Sequence, residues 1–247
     1  MGKSRVRLSP PALGCYNTRM SDYIYESSKN KELQAKEGII LLPDIYCQTN
    51  YSKKTVEDFA GALDRPVFML DYFYISTGKA NDLDGEEGEK AHNLMENMNA
   101  KEFVEFFEKA LGEIKERYLK LNKFTVIGFC FGGRLAYIAG ASTDVSRIIS
   151  FYGGGANSPY IEGQSAVEYL ISKKGANVSV SSFFGTNDQS ILEEDRQKIK
   201  EKFINAGIDF NSYEYEAGHA YFQEGRKNYN EVASKASWEI LKQIFNV

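Results

Sequence analysis

Cysteine, histidine and tryptophan are scarce in this chain. Its 247 residues carry three cysteines, two histidines and one tryptophan. Cys15, Cys47 and Cys130 form an odd, thin set, which excludes a disulfide scaffold and points to free thiols in a reducing compartment. A strong charge of either sign is also missing, since the formal net charge is −4. That excludes the basic footprint of a nucleic-acid binder. No apolar run approaches the length of a membrane span, so no membrane partner is expected. Met1-Gly2-Lys3-Ser4-Arg5 has no apolar segment behind it, as a secretory signal would require. Gly2 raises N-myristoylation, but Val6 stands where that motif needs Ser or Thr. The protein is therefore expected to be cytoplasmic, without metal or other cofactor, and a monomer or weak dimer.

What the chain has is a set of short apolar runs separated by segments of helical period. The runs are residues 38–42, 66–70, 124–127, 148–152, 178–184 and 210–215. Continuous apolar runs without alternation suit strands buried on both faces of a parallel sheet. Between them, Val56, Phe59, Ala60 and Leu63 make one helical stripe. Phe103, Phe107, Ala110, Leu111, Ile114 and Tyr118 make a longer one. Ser190 with Glu193 three residues on predicts a capped helix running to Gly207. Ala233, Ile240, Leu241 and Ile244 mark the last helix. This alternation predicts one α/β domain over 1–247, a doubly wound, mostly parallel sheet with helices on both faces. Residues 1–30 read as a weak lead-in, with a short strand or hairpin at most. The polar stretch 76–100 reads as a surface excursion over the carboxyl edge of the sheet, where open α/β folds carry their ligand sites.

The informative segment is Gly128-Phe129-Cys130-Phe131-Gly132-Gly133-Arg134. An apolar run ends, a G-x-C-x-G turn follows, and helical sequence starts at once. This is the nucleophile-elbow pattern with Cys in place of Ser. The glycines answer a steric need, because side chains two positions from the nucleophile would strike neighbouring backbone. The helix start aims N–H groups at Cys130, where they stabilise a thiolate or an oxyanion. The bland alternative is a tight strand-to-helix turn holding a small buried cysteine. A phosphate loop fits less well, since Gly128, Gly132 and Gly133 do not make G-x-G-x-x-G.

Chain order decides between them. A nucleophile elbow is followed by an acid and then a histidine. Asp188, in Gly185-Thr186-Asn187-Asp188, comes directly after one predicted strand. His219, in Ala217-Gly218-His219-Ala220, comes directly after the next. Each has an ordinary reading as a turn or loop residue. Together they stand at the strand ends where an acid and a base are needed. Glu193, Glu194 and Asp195 fall inside a predicted helix. His92 lies in the polar excursion and reads as solvent-facing or lid material.

With these residues in place, the chain from about Gly38 onward resembles the dienelactone hydrolase family. The match is strongest at Gly128-Phe129-Cys130-Phe131-Gly132-Gly133. Gly185-Thr186-Asn187-Asp188, Ala217-Gly218-His219 and Leu42-Pro43-Asp44-Ile45-Tyr46 support it. The resemblance implies Cys130 as nucleophile, His219 as base and Asp188 as its orienter. It implies oxyanion N–H groups from Phe131 and Ile45. Asp44 stands where the family has a glutamate that contacts the resting thiol, and is one methylene shorter. Gln223 and Ile75 stand where bacterial dienelactone enzymes carry arginines that hold a substrate carboxylate. Neither can make a bidentate, charge-assisted pair, so the resemblance supports the machinery better than it supports dienelactone as substrate. Arg134 is a nearby cation whose helical position can turn it away from the site.

The expected activity is hydrolysis of a small ester or lactone through a thioester at Cys130. The pocket is expected to be aromatic, with Tyr46, Phe129, Tyr152 and Tyr221 beside Phe131. Two rivals stand beside this reading. One is a hydrolase-like domain that binds without catalysis. The other is a thiol redox sensor, with Cys47 as resolving partner to Cys130.

Overall fold

The computed structural model describes residues 20–30, 35–83 and 87–247. Cys15 lies outside them. Strand β1 (Ile24–Glu26) is followed by β2 (Glu37–Leu42), helix α1 (Asn50–Leu63), β3 (Val67–Leu70), α2 (Tyr74–Thr77), α3 (Gly88–Glu96) and α4 (Ala100–Arg117). Then come β4 (Lys123–Phe129), α5 (Phe131–Ala139), β5 (Val145–Phe151), β6 (Pro159–Ile161), β7 (Gln164–Ser165) and α6 (Ala166–Lys174). The chain closes with β8 (Ser179–Gly185), α7 (Glu193–Asn205), β9 (Asp209–Tyr215) and α8 (Glu231–Phe245).

Seven strands form one sheet in the order β1-β3-β2-β4-β5-β8-β9. All neighbours are parallel except β1, which pairs antiparallel to β3 at the edge. The six apolar runs of the sequence are the six parallel strands. The edge strand β1 is the short strand of the lead-in. β6 and β7 make a separate small hairpin, and neither run is apolar enough to stand out in the sequence.

Alternation along the strands separates two covered faces. On one, the Ser150 hydroxyl donates to the Gly133 carbonyl, and the Tyr137 and Ser182 hydroxyls bond each other, so β5 and β8 are tied to α5. Their neighbours Phe151 and Phe183 point the other way. There Phe129, Phe151, Phe183 and Tyr213 sit in register across β4, β5, β8 and β9. Their rings stack at 4.9, 4.4 and 4.8 Å between centroids. Phe222, Phe59 of α1 and Trp238 of α8 cover that ladder.

Two local readings change. Helix α7 begins at Glu193 with Leu192 at its N-cap, and makes no side-chain capping bond. The Ser190 hydroxyl is used elsewhere, as described below. The surface excursion over 76–100 contains a helix that the sequence reading did not separate out, α3. Few apolar residues mark α3, since only Ala91 on it is buried.

Candidate active site

Every segment singled out in the sequence reaches the carboxyl edge of the sheet. Phe129 ends β4, Phe151 ends β5, Gly185 ends β8 and Tyr215 ends β9. Cys130 is the N-cap of α5 at φ 54°, ψ −118°. A non-glycine residue pays strain there, and its neighbours hold it. Its N–H donates to the Phe151 carbonyl at 3.0 Å. Its carbonyl accepts from the N–H groups of Gly133 and Arg134 at 2.9 and 3.2 Å. The elbow glycines are obligatory: a Cβ on Gly128 would overlap the Gly132 carbonyl, and one on Gly132 would overlap the carbonyls of Leu42 and Pro43.

Two loops bring the acid and the base together. The Thr186 N–H donates to the Tyr215 carbonyl at 2.7 Å, and the Asn187 N–H to the Ala217 carbonyl at 3.0 Å. A Cβ on Gly185 would collide with that same Ala217 carbonyl, so glycine permits the stitch. His219 Nδ1 consequently lies 2.6 Å from Asp188 Oδ2. The Tyr152 ring meets the imidazole edge-on at 5.1 Å, and Asn228 Nδ2 donates to the His219 carbonyl at 3.1 Å.

Burial alone would lower the His219 pKa. Hydrogen bonds to Asp188 and to Cys130, and the charges of both, outweigh it and raise the value to about 10. Burial would raise the Asp188 pKa, but hydrogen bonds from His219 and Ser190 hold it below its ordinary value. The thiol of Cys130 thus lies against an imidazole whose other nitrogen is fixed by a buried carboxylate.

A cavity of about 510 Å³ opens over these groups. Cys130, His219, Asp44, Ile45, Tyr46, Phe131 and Gln223 line it. Phe131 is the first residue of α5, so its N–H is among those a helix leaves without an internal acceptor. The Tyr72 hydroxyl braces the opposite turn by donating toward the carbonyls of Pro43 and Asp44, at 3.0 and 2.7 Å.

Phe129, Tyr152, Tyr221 and Ile75 do not line the cavity. The first three pack beneath it, almost wholly or wholly buried. They continue the aromatic layer under the sheet edge, because apolar rings gain more from core burial than from a wet wall. Ile75 sits on α2 and packs against the core.

Several residues that the sequence reading set aside or did not mention do line it. His92 and Met95 reach it from α3, and His92 is exposed, in keeping with the expected solvent-facing or lid position. Arg226 reaches Asp44, with Nη2 3.2 Å from Oδ2, and covers the Tyr46 ring at 4.6 Å. Arg134 also faces the cavity. Its Nε donates to the Gly154 carbonyl at 2.7 Å, and its guanidinium lies 5.4 and 5.3 Å from the Phe131 and Tyr160 rings. The spacing of α5 could have placed Arg134, one turn beyond Cys130 on the same face. Arg226 lies in a loop, where no periodicity predicts direction.

Cys47 is fully buried and free of disulfide bonding. Its thiol hydrogen-bonds Asp71, and burial pushes its pKa well above the ordinary thiol value. Among the described residues no cluster of His, Cys, Asp and Glu could hold a metal ion, and no helix is long and apolar enough to cross a membrane.

The strand order, the cysteine at positive φ between β4 and α5, and the acid and histidine at the ends of β8 and β9 define an α/β-hydrolase fold. Within that class, the chain belongs to the dienelactone hydrolase family, whose family model matches residues 24–247. It is similar to the carboxymethylenebutenolidase of Pseudomonas putida, with 29% identity over 157 residues, covering 62% of this chain and 60% of that one. The chain spans about half to three fifths of the length of the curated relatives it matches. In fold it is similar to a Klebsiella pneumoniae structure provisionally named a dienelactone hydrolase. The TM-score is 0.75 at 16% identity, over 90% of this chain and 92% of that one. It is also similar to a dienelactone hydrolase-like promiscuous phosphotriesterase, P91, from metagenomic libraries. There the TM-score is 0.65 at 17% identity, over 85% of each chain.

Proposed function

We propose that this protein hydrolyses a small ester or lactone by acyl transfer through Cys130, His219 and Asp188. One observation carries the reading: a cysteine held at positive φ on a helix N-terminus lies against an imidazole oriented by a buried carboxylate. The thiol proton passes to His219, and the sulfur attacks the ester carbonyl. The N–H groups of Phe131 and Ile45 hold the oxyanion. As the tetrahedral intermediate collapses, the C–O bond breaks and the imidazolium protonates the leaving alkoxide or enolate.

Acylation then changes the base. Part of what raises His219 is its hydrogen bond to Cys130 and the charge there. A thioester carries no charge, so the imidazole becomes less basic and is left neutral beside the acyl group. In that state it takes a proton from water, whose oxygen attacks the thioester and frees the acid and the thiol. A free reactive thiol suits a reducing, cytoplasmic setting.

The cavity also favours an ester that bears an acidic group. Gln223 and Ile75 offer no cation, yet two guanidiniums line the wall. Arg226 is paired with Asp44. No ion pair engages Arg134 among the described residues. The one hydrogen bond of its guanidinium among the described residues goes to a carbonyl, which leaves donors for a carboxylate.

The test is Cys130→Ala with an activated ester such as a p-nitrophenyl ester. Turnover is expected to fall to background while the circular dichroism spectrum and the melting temperature stay close to wild type. Mass spectrometry of the wild type is expected to find the acyl group on Cys130. Undiminished hydrolysis by the variant would overturn the reading.

A further inference from the structure

Ser190 is where the sequence and the structure part company. Ser190 and Glu193 read as a capping box, but the helix starts later and its N-cap is Leu192. The Ser190 hydroxyl lies instead 2.6 Å from Asp188 Oδ1 and 3.1 Å from His219 Nδ1. Its backbone N–H also donates to Asp188 Oδ1, at 2.8 Å.

The proton inventory of these atoms is short. A serine hydroxyl has one hydrogen and two lone pairs. Asp188, held ionised, only accepts, so the hydroxyl hydrogen goes to Oδ1. That leaves a lone pair of Oγ facing His219 Nδ1, and Nδ1 must carry a hydrogen for its 2.6 Å contact with Oδ2. The Nδ1–H group is then shared between the carboxylate and the hydroxyl.

We infer that Ser190 is a positioning residue for His219. It keeps a hydrogen on Nδ1 and fixes the rotation of the ring, so that Nε2 stays turned toward Cys130. The assignment rests on the proposed role of His219 as base. A residue serving only the turn would do its work through the backbone, since the 2.8 Å bond from the Ser190 N–H to Asp188 does not involve the side chain. Removing Oγ therefore separates the two roles.

The experiment compares wild type with Ser190→Ala, Ser190→Thr and His219→Ala, using a p-nitrophenyl ester and ¹⁵N-histidine NMR. A charge-assisted bond that strengthens as the imidazolium forms corresponds to about a tenfold effect on rate. Ser190→Ala is expected to lower kcat by about that factor with KM little changed. Its Nδ1–H proton should exchange with water faster, and in spectra taken above about pH 10, where the ring is neutral, its ring nitrogens should show a mixture of tautomers. Ser190→Thr keeps Oγ and is expected to recover most of the rate and the single tautomer. The inference is overturned if Ser190→Ala matches wild type in kcat and in the Nδ1–H signal. It is overturned equally if Ser190→Thr, folded, behaves no better than Ser190→Ala. Full activity of His219→Ala would instead remove the proposed function, while the NMR comparison would still report on the Ser190 contact.

Discussion

Arg134 shows how much one side chain depends on its immediate surroundings. Its guanidinium is pinned by the Gly154 carbonyl and lies against the Phe131 and Tyr160 rings. Burial lowers its pKa from the usual arginine value, yet a guanidinium stays charged at any physiological pH. A partly buried cation without an acidic partner is costly unless a ligand supplies the opposite charge. Arg134→Ala is expected to raise KM for a carboxylate-bearing ester by about tenfold to a hundredfold, the worth of a charge-assisted contact. A neutral ester of equal size should be nearly unaffected. Steady-state kinetics on such a matched pair checks this, and an equal loss on both esters would place Arg134 in packing instead.

Elements act through register. The stacked rings of Phe129, Phe151, Phe183 and Tyr213 come from parallel strands paired so that aromatic residues fall opposite one another. This ladder lies directly beneath Cys130, and the Phe151 carbonyl accepts the Cys130 N–H. Phe151→Ala would empty a fully buried site in the middle of the ladder. The expected loss is about 3–5 kcal/mol of stability, read as a drop in the urea midpoint with an unchanged slope. A loss below about 1 kcal/mol would mean that neighbouring rings collapse into the space. The helices were legible for a similar reason. α4 buries Phe103, Phe106, Phe107, Ala110, Leu111 and Ile114 on one stripe. α3 has no such stripe, and β6 and β7 are too short to show a period. Ser190 misled because a capping box is a local pattern, while the neighbouring Asp188 and His219 compete for the same hydroxyl.

At the scale of the whole molecule, the Asp188–His219 contact joins the loops after β8 and β9 and makes stability depend on pH. The folded pKa of His219 is raised to about 10, with burial opposing and the bonds to Asp188 and Cys130 prevailing. Its contribution is fully present below the unfolded value of about 6.5 and is lost as pH climbs toward 10. Asp188 works in the opposite sense, because its folded pKa is lowered. Its contribution is present above about pH 4 and fades as pH falls through the folded value. The stability gap between wild type and His219→Gln should therefore be widest between about pH 4 and 6.5. It should narrow steadily from pH 7 to 10. Urea titrations across that range would show this, and a gap that widened on the alkaline side would contradict it.

The sequence by itself determined the α/β class, the cysteine elbow and the chain order of acid and histidine. Burial on both faces of a parallel sheet demands unbroken apolar runs, and a tight elbow demands glycines, so both are written in residue type and spacing. The tertiary structure alone decided what surrounds the thiol. Arg226 reaches Asp44 across 182 positions of chain, and His92 enters from an excursion that reads as surface. Phe129, Tyr152 and Tyr221 left the expected pocket for the core. Such contacts depend on where loops from distant strands converge, and no local period encodes that convergence.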